Sequence, residues 1–374
     1  MRFALMIEPQ QGLSYAEQLA VVRRAEAAGF ESFFRSDHYQ SFPGPSGEPT
    51  TDAWAVLAGL ARETSTITLG TLVSPVTFRR FGNLAKVVTT VDEMSGGRVE
   101  FGLGAGWNEP EHRQLGLPFP DIGERADMLE EQFAVLHGLW AEPDGWSFQG
   151  SHVTIQRAEF HPKPAAKPGR PTLPNGASRP RLLAGGEGSP RGLRIAARYA
   201  DEFNLSSSSP AKAREIYAAL AAACEAIGRD PTTMARSVMA GVLIGRDEVE
   251  LSRRKSALLA EFGDESGGED WFDAREPRWI LGTRDAARAM VEKFADAGAE
   301  RIMLQDFVPR PRHDRPDGRD ALLTMGHVRL ETEISAPVEG AFDAAREIDL
   351  HLVKRAAETA AAGEDQPAAS AAPR

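Results

Sequence analysis

Residues 66–106, TITLGTLVSPVTFRRFGNLAKVVTTVDEMSGGRVEFGLGAG, hold a strand, a helix and a second strand in that order. TITLGTLV has strand character, and NLAKVVTTVDEM spaces its apolar residues three and four apart, as one helix face requires. Gly96 and Gly97 end that helix, and RVEFGLGAG opens the next strand. Two strands joined through a helix of this length pair in parallel, because a parallel connection needs a crossover.

The unit recurs in both directions. MRFALMI precedes SYAEQLAVVRRAEAAG, and ESFFRS precedes a helix from Asp52 to Thr64. Downstream, the helix after RVEFGLGAG runs from Glu124 to Trp140. RPRLLAGG then precedes GLRIAARYA, DEFNLS precedes a helix around Ile216 to Ile227, and SVMAGVLIG precedes EVELSRRKSALLAEF. RDAARAMVEKFADAG and ERIMLQDF close the series. About eight strands in this alternation predict an α/β fold, a (β/α)8 TIM barrel with insertions and a short C-terminal extension. A doubly wound open sheet is the alternative, but it calls for a G-x-G-x-x-G turn after the first strand, where this chain has EPQQGLS.

Two stretches interrupt the alternation. Residues 142–174 read as a β-hairpin, WSFQGSHVTIQ, followed by a proline-rich loop, HPKPAAKPGRPTLP. GDESGGEDWFDAREPRWI, residues 263–280, reads as a polar, glycine-rich surface excursion before the last helix.

Composition narrows the function. With 42% hydrophobic residues against 26% charged, and no apolar run near the ~18 residues of a membrane span, the 374-residue chain reads as globular and soluble. Its first residues carry no export signal. Cys224 lies in the alanine-rich YAALAAACEAIG, so it reads as a small apolar filler, and a reducing cytoplasm fits. A net charge of −11 with dispersed basic residues argues against nucleic acid and for a small-molecule substrate. The histidines are scattered, EPEH lacks the spacing of a zinc helix, and no G-x-S-x-G elbow occurs, so neither a metal nor a serine nucleophile is expected.

In a barrel of this kind the chemistry lies on the loops after the strands. Those loops are RSDHYQSF, LVSPVTFR, GLGAGWNEPEH and LLAGGEGSPRG. The glycines of the last two let the backbone approach a ligand and lead toward helix N-termini, which favour phosphate.

SDHY (36–39), NLAKVVTTVDEMSGGRVEFGLGAGWNEPEH, ERADMLEEQ and LLAGGEGSPRGLRIAARYADEFN together resemble the bacterial luciferase-like monooxygenase family. They look most like its branch using the deazaflavin coenzyme F420. FMN-using relatives share the SGGR–GLGAGW signature. The resemblance implies an oxidoreductase that moves a hydride between the deazaflavin and an organic substrate. An FMN-dependent two-component monooxygenase and a non-catalytic cofactor-binding member are the alternatives. It further implies that His38 exchanges a proton with substrate, which suits an imidazole at neutral pH, with Tyr39, Glu109 or a water next in line. Asp37 would border the cofactor, and Leu72 and Val73 fall where relatives carry a non-proline cis peptide behind its ring. Gly104, Ala105, Gly106 and Trp107 would follow the cofactor tail and ring edge, and Gly185, Gly186, Glu187 and Gly188 would face its phosphate.

One departure matters. The sugar-phosphate dehydrogenases of the branch carry glutamate where this chain has Trp107 and tryptophan where it has Phe42, and NLSSSSPAK lacks a lysine at its start. Tyr39, Phe42, Phe78 and Trp107 then predict an aromatic pocket for a hydrophobic substrate.

The resemblance places the barrel in residues 1–308, a Pro- and Arg-rich linker in 309–324 and an Ala-rich tail, read as disordered, in 353–374. Residues 325–352 resemble the opening strand and helix of the START-like polyketide cyclase and dehydrase superfamily, too short for a whole domain. They read as a remnant, or as an arm packing on the barrel or on a second subunit of a homodimer.

Overall fold

The architecture comes from a computed structural model that describes residues 1–42, 47–172, 176–262 and 270–306. Its first half runs β1 (Arg2–Ile7), α1 (Tyr15–Ala27), β2 (Ser32–Arg35), α2 (Ala53–Glu63), β3 (Thr68–Pro75), α3 (Phe81–Met94), β4 (Val99–Gly104), α4 (Glu109–Gln114) and α5 (Ile122–Ala141). The hairpin β5 (Trp146–Gln149) and β6 (Thr154–Ala158) follows. The second half is β7 (Arg181–Gly186), α6 (Pro190–Tyr199), β8 (Glu202–Leu205), α7 (Pro210–Glu225), β9 (Ala235–Gly245), α8 (Glu248–Phe262), α9 (Asp270–Asp273), β10 (Ile280–Thr283), α10 (Arg284–Asp296) and β11 (Arg301–Asp306).

The sheet order is β11-β1-β2-β3-β4-β7-β8, and β9 joins both β8 and β11 in parallel, closing the barrel. That closure excludes the open sheet. The side-chain period of two divides each strand between helices and barrel axis. Phe3, Leu5 and Ile7 of β1 belong to the large core with the helices. Ala4 and Met6 join Phe34, Leu72, Leu183 and Met303 in a separate interior cluster.

Below that apolar layer, at the strand N-termini, lies an ionic one. Arg301, fully buried, donates to both oxygens of Glu100 and of Glu202, and to Ser32 Oγ. Burial alone would push Glu100 up, but Arg301 outweighs it and holds the carboxyl down to about 2.

Several sequence expectations need correction. The helix expected from Ile216 starts at Pro210, because Ser209 caps it and proline suits the first helical position. α4, a single short turn pair after β4, was not foreseen. The stretch read as a surface excursion carries Trp271, Phe272 and Trp279, which are buried with Leu258 in a cluster of their own. β10, also unforeseen, adds a ninth strand along the C-terminal half of β9. Residues 263–269, and the linker, START-like segment and tail, lie outside the described residues. Among the described residues no helix is long and apolar enough to cross a membrane. Cys224 is buried in α7.

Candidate active site

The C-terminal ends of β2, β3 and β4 converge on His38. β2 runs into Ser36–Tyr39, and Asp37 and His38 meet very different surroundings. Asp37 is fully buried: both its oxygens accept from Arg79, at 2.6 and 3.0 Å, and one also from Ser74 Oγ at 2.7 Å. Arg79 also reaches Asp52 and the Tyr39 hydroxyl, which itself donates to Asp52 at 2.6 Å. Burial would lower Arg79 and raise Asp52. Asp37 above all outweighs burial and raises Arg79, and Arg79 in turn holds Asp52 down to about 2. Burial also pushes Tyr39 up. The structure therefore makes Asp37 an anchor for Arg79 and draws the Tyr39 hydroxyl into the same network.

His38 stands apart from that network. Its Nδ1 lies 2.8 Å from Glu111 Oε1, and Glu111 Oε2 accepts the Tyr39 N–H at 3.0 Å. Glu111 comes from α4 and is almost fully buried. A carboxylate already accepting one N–H accepts the second, so Nδ1 carries its proton, while Nε2 has no hydrogen-bond partner among the described residues. The ring sits edge-on to Phe42, at 4.6 Å, and to Trp107, at 5.7 Å. Phe42 and Trp107 touch each other at 5.2 Å, and Trp107 is 66% exposed at the rim.

The four aromatic residues expected around the substrate divide into two pairs. Phe42 and Trp107 stand with His38. Tyr39 and Phe78 stack on each other at 4.8 Å, and Phe78 is buried against His112. His112 is buried as well, tied to Thr77 Oγ1 and the Asn108 carbonyl, which is structural use of a histidine. Glu109 is exposed and pairs with Arg113 on its own helix, so it is not the acid near His38.

The glycine loops also divide. The Leu72–Val73 peptide is cis, and the Val73 side chain fills the space that a Cβ would need at Gly104 or Gly185, 2.6 and 2.7 Å away. Those two glycines make room for Val73, whereas at Gly102 the Thr71 carbonyl oxygen is nearer still, at 2.3 Å. Gly106 has φ +80°, a left-handed conformation, and Ala105 leads into it. At Gly186 a Cβ would meet nothing within 4 Å, so this backbone faces open space, followed by exposed Glu187 and by Gly188. Gln40 Oε1 and Ser207 Oγ, on the loops after β2 and β8, are buried without a hydrogen-bond partner. Orphaned polar atoms and an open glycine backbone at one end of the barrel fit a bound organic ligand. Among the described residues no cluster of three or more metal-binding side chains occurs.

Glu111 and Arg79 escaped the reading of the sequence. EPEH was weighed for metal spacing, whereas the relevant relation joins its second glutamate to a histidine 73 residues earlier.

The sequence profile described as luciferase-like monooxygenase matches residues 1–332. An F420-dependent glucose-6-phosphate dehydrogenase from Beutenbergia cavernae is 32% identical over 295 residues, 76% of this chain and 82% of that protein. The pyrimidine monooxygenase RutA of Pseudomonas syringae pv. syringae is 28% identical over 332 residues, 80% and 87% of the two chains. Among solved structures, an F420-dependent secondary alcohol dehydrogenase in complex with an F420-acetone adduct superposes with a TM-score of 0.69. That likeness has 20% identity and covers 82% of this chain and 93% of the other. With its closed barrel and a profile match over most of its length, the chain belongs to the luciferase-like monooxygenase family and is an enzyme of the oxidoreductase class.

Proposed function

We propose that the protein transfers a hydride between coenzyme F420 and an uncharged or cationic organic substrate, with His38 managing the proton. The observation that carries this reading is the Glu111–His38 pair at the mouth: a histidine held at Nδ1, its ring edge-on to two aromatic side chains. When bound, the deazaflavin supplies the hydride donor or acceptor. The main chain of Gly185, Gly186, Glu187 and Gly188 would hold its phosphate side, with Ser207 as a further donor. Ala105, Gly106 and Trp107 would border it, with Leu72 and Val73 forming the wall.

His38 then gives or takes a proton at Nε2, and Glu111 stabilises the imidazolium and fixes the ring. Phe42 and Trp107 flank the ring and offer apolar surface to the substrate. Trp107 stands where sugar-phosphate dehydrogenases of the branch have an acid, which argues against a sugar phosphate here. The similarity to the F420-dependent glucose-6-phosphate dehydrogenase supports the cofactor more than the substrate. A second reading, an FMN-dependent monooxygenase served by a separate reductase, draws on the similarity to the pyrimidine monooxygenase.

Titrating the purified protein with each cofactor tests the choice. We expect F420 to bind at least about tenfold more tightly than FMN, about 1.4 kcal/mol. Equal binding, or tight FMN binding alone, overturns the F420 reading in favour of the monooxygenase.

A further inference from the structure

The axis-facing residues of β1 are Ala4 and Met6, and the next position of that parity is Glu8, just past the strand. On β11 the same parity runs through Arg301, Met303 and Gln305, and on β2 through Ser32, Phe34 and Ser36. Glu8, Gln305 and Ser36 therefore form the layer above the apolar one, at the floor of the mouth. Their contacts agree. Glu8 Oε1 accepts from Gln305 Nε2 and Oε2 from Gln10 Nε2, at 2.5 and 2.8 Å. Gln10, fully buried, also accepts from Ser36 Oγ at 2.5 Å and donates to the Phe42 carbonyl at 3.2 Å. One chain of hydrogen bonds thus joins the floor carboxylate to the loop carrying His38 and Phe42.

This carboxylate differs from every other acid in the barrel interior. Glu100 and Glu202 share Arg301, whereas Glu8 is held by two neutral amides and forms no ion pair among the described residues. It is also partly exposed. Two amide clamps fix its direction without cancelling its charge, so the negative potential is spent on whatever enters the mouth.

We infer that Glu8 is a specificity-determining residue: it selects substrates presenting an ammonium or a hydroxyl donor on an aromatic or apolar frame, and rejects carboxylates and phosphates. The inference rests on the mouth being the substrate side of the site proposed above. It does not depend on which cofactor is used.

The test uses the full chain and three probes of one shape: benzylamine, benzyl alcohol and benzoate, with dissociation constants from ligand-observed NMR titration. Because the whole chain carries a charge of −11, the decisive quantity is the change on substitution. We expect benzylamine to bind at least about tenfold more tightly than benzoate, and Glu8→Gln and Glu8→Ala to bring the two within about threefold. Phe42→Ala should weaken all three probes alike, which locates them at the mouth. The inference is overturned if benzoate binds as well as benzylamine, if the preference survives both Glu8 variants, or if none of the probes binds. Failure of F420 to bind, with the probes still discriminating, would instead remove the cofactor reading and leave Glu8 its role.

Discussion

The two ends of the barrel use the same chemistry to opposite effect. At the N-terminal end Arg301 meets Glu100 and Glu202 in a layer in which each charge has its partner. At the C-terminal end Gln40 Oε1 and Ser207 Oγ are buried without one, and Glu8 has no counter-ion among the described residues. Buried polar groups are almost always satisfied, because leaving one unpaired costs about 1–3 kcal/mol. The closed layer therefore reads as structure and the open one as a place kept for a ligand. Changes at the bottom should affect stability, and changes at the top should affect rate and selectivity.

The largest effect is expected at the bottom. Arg301→Leu leaves two carboxylates buried without a cation, and breaking such a group by removing one partner costs about 3–5 kcal/mol. Urea unfolding should detect that loss, and a change below about 1 kcal/mol would dissolve the contrast between the two ends. The pH dependence follows with a definite sign. The folded value of Glu100, about 2, lies below its ordinary 4.5, so its contribution is complete above about pH 4.5 and lost as pH falls toward 2. Glu100→Gln, although less stable throughout, should flatten the stability curve between those limits.

At the top, His38→Ala should cut turnover about 100-fold or more, the contribution typical of a general acid or base. Its melting temperature should stay within a few degrees of the parent protein, and F420 affinity should change little. His38→Gln keeps hydrogen-bonding capacity but cannot carry a proton near neutral pH, so it should be nearly as slow. Retention of most of the rate by both variants would remove His38 from the mechanism. A joint loss of stability and cofactor affinity would make it a loop-holding residue like His112.

The contrast between the ends also explains what the sequence discloses. Strand-then-helix alternation is local, and it discloses the parallel barrel and the loop RSDHYQSF after β2, within which the resemblance points to His38. The division of labour within SDHY is not local. Asp37 and His38 are adjacent, yet one faces Arg79 and the other Glu111, and only the packed loops after β3 and β4 decide which. Nor is the reason for a glycine local: within GLGAG and AGGEG, Gly104 and Gly185 lack a Cβ where the Val73 side chain needs the space. Trp271, Phe272 and Trp279 were hidden in a polar stretch because three buried side chains suffice to make a small core. Glu8 gave no signal at all, since a lone glutamate after a strand acquires meaning only from the parity of its neighbours on β11 and β2.

Glu111 offers a finer comparison, because it is a buried acid that serves the open end. Glu111→Gln preserves size and an acceptor for Nδ1 but withdraws the charge that stabilises the imidazolium. We expect kcat/KM to fall about tenfold, less than with loss of His38 itself, with the melting temperature nearly unchanged. A glutamate that only packs the loop would lose stability together with rate, so the two measurements distinguish positioning from packing.

The smallest effect is expected beyond the barrel. Among the described residues the ring of strands is already closed by β8–β9, β9–β11 and β11–β1. We therefore propose that residues 320–374 are dispensable to the fold, and that removing them changes the melting temperature by less than about 2 °C and leaves F420 affinity unchanged. The direction of β11 gives the experiment its interest: Asp306 ends that strand at the mouth, so the chain continues from the same end of the barrel as His38 and Glu8. A docked segment would reveal itself in two ways that a remnant would not. Thermal unfolding would drop by several degrees, and the charge selectivity assigned to Glu8 would change on truncation, because a covering segment alters the solvent around that carboxylate. Unchanged stability with unchanged selectivity would confine both the fold and the chemistry to the barrel itself.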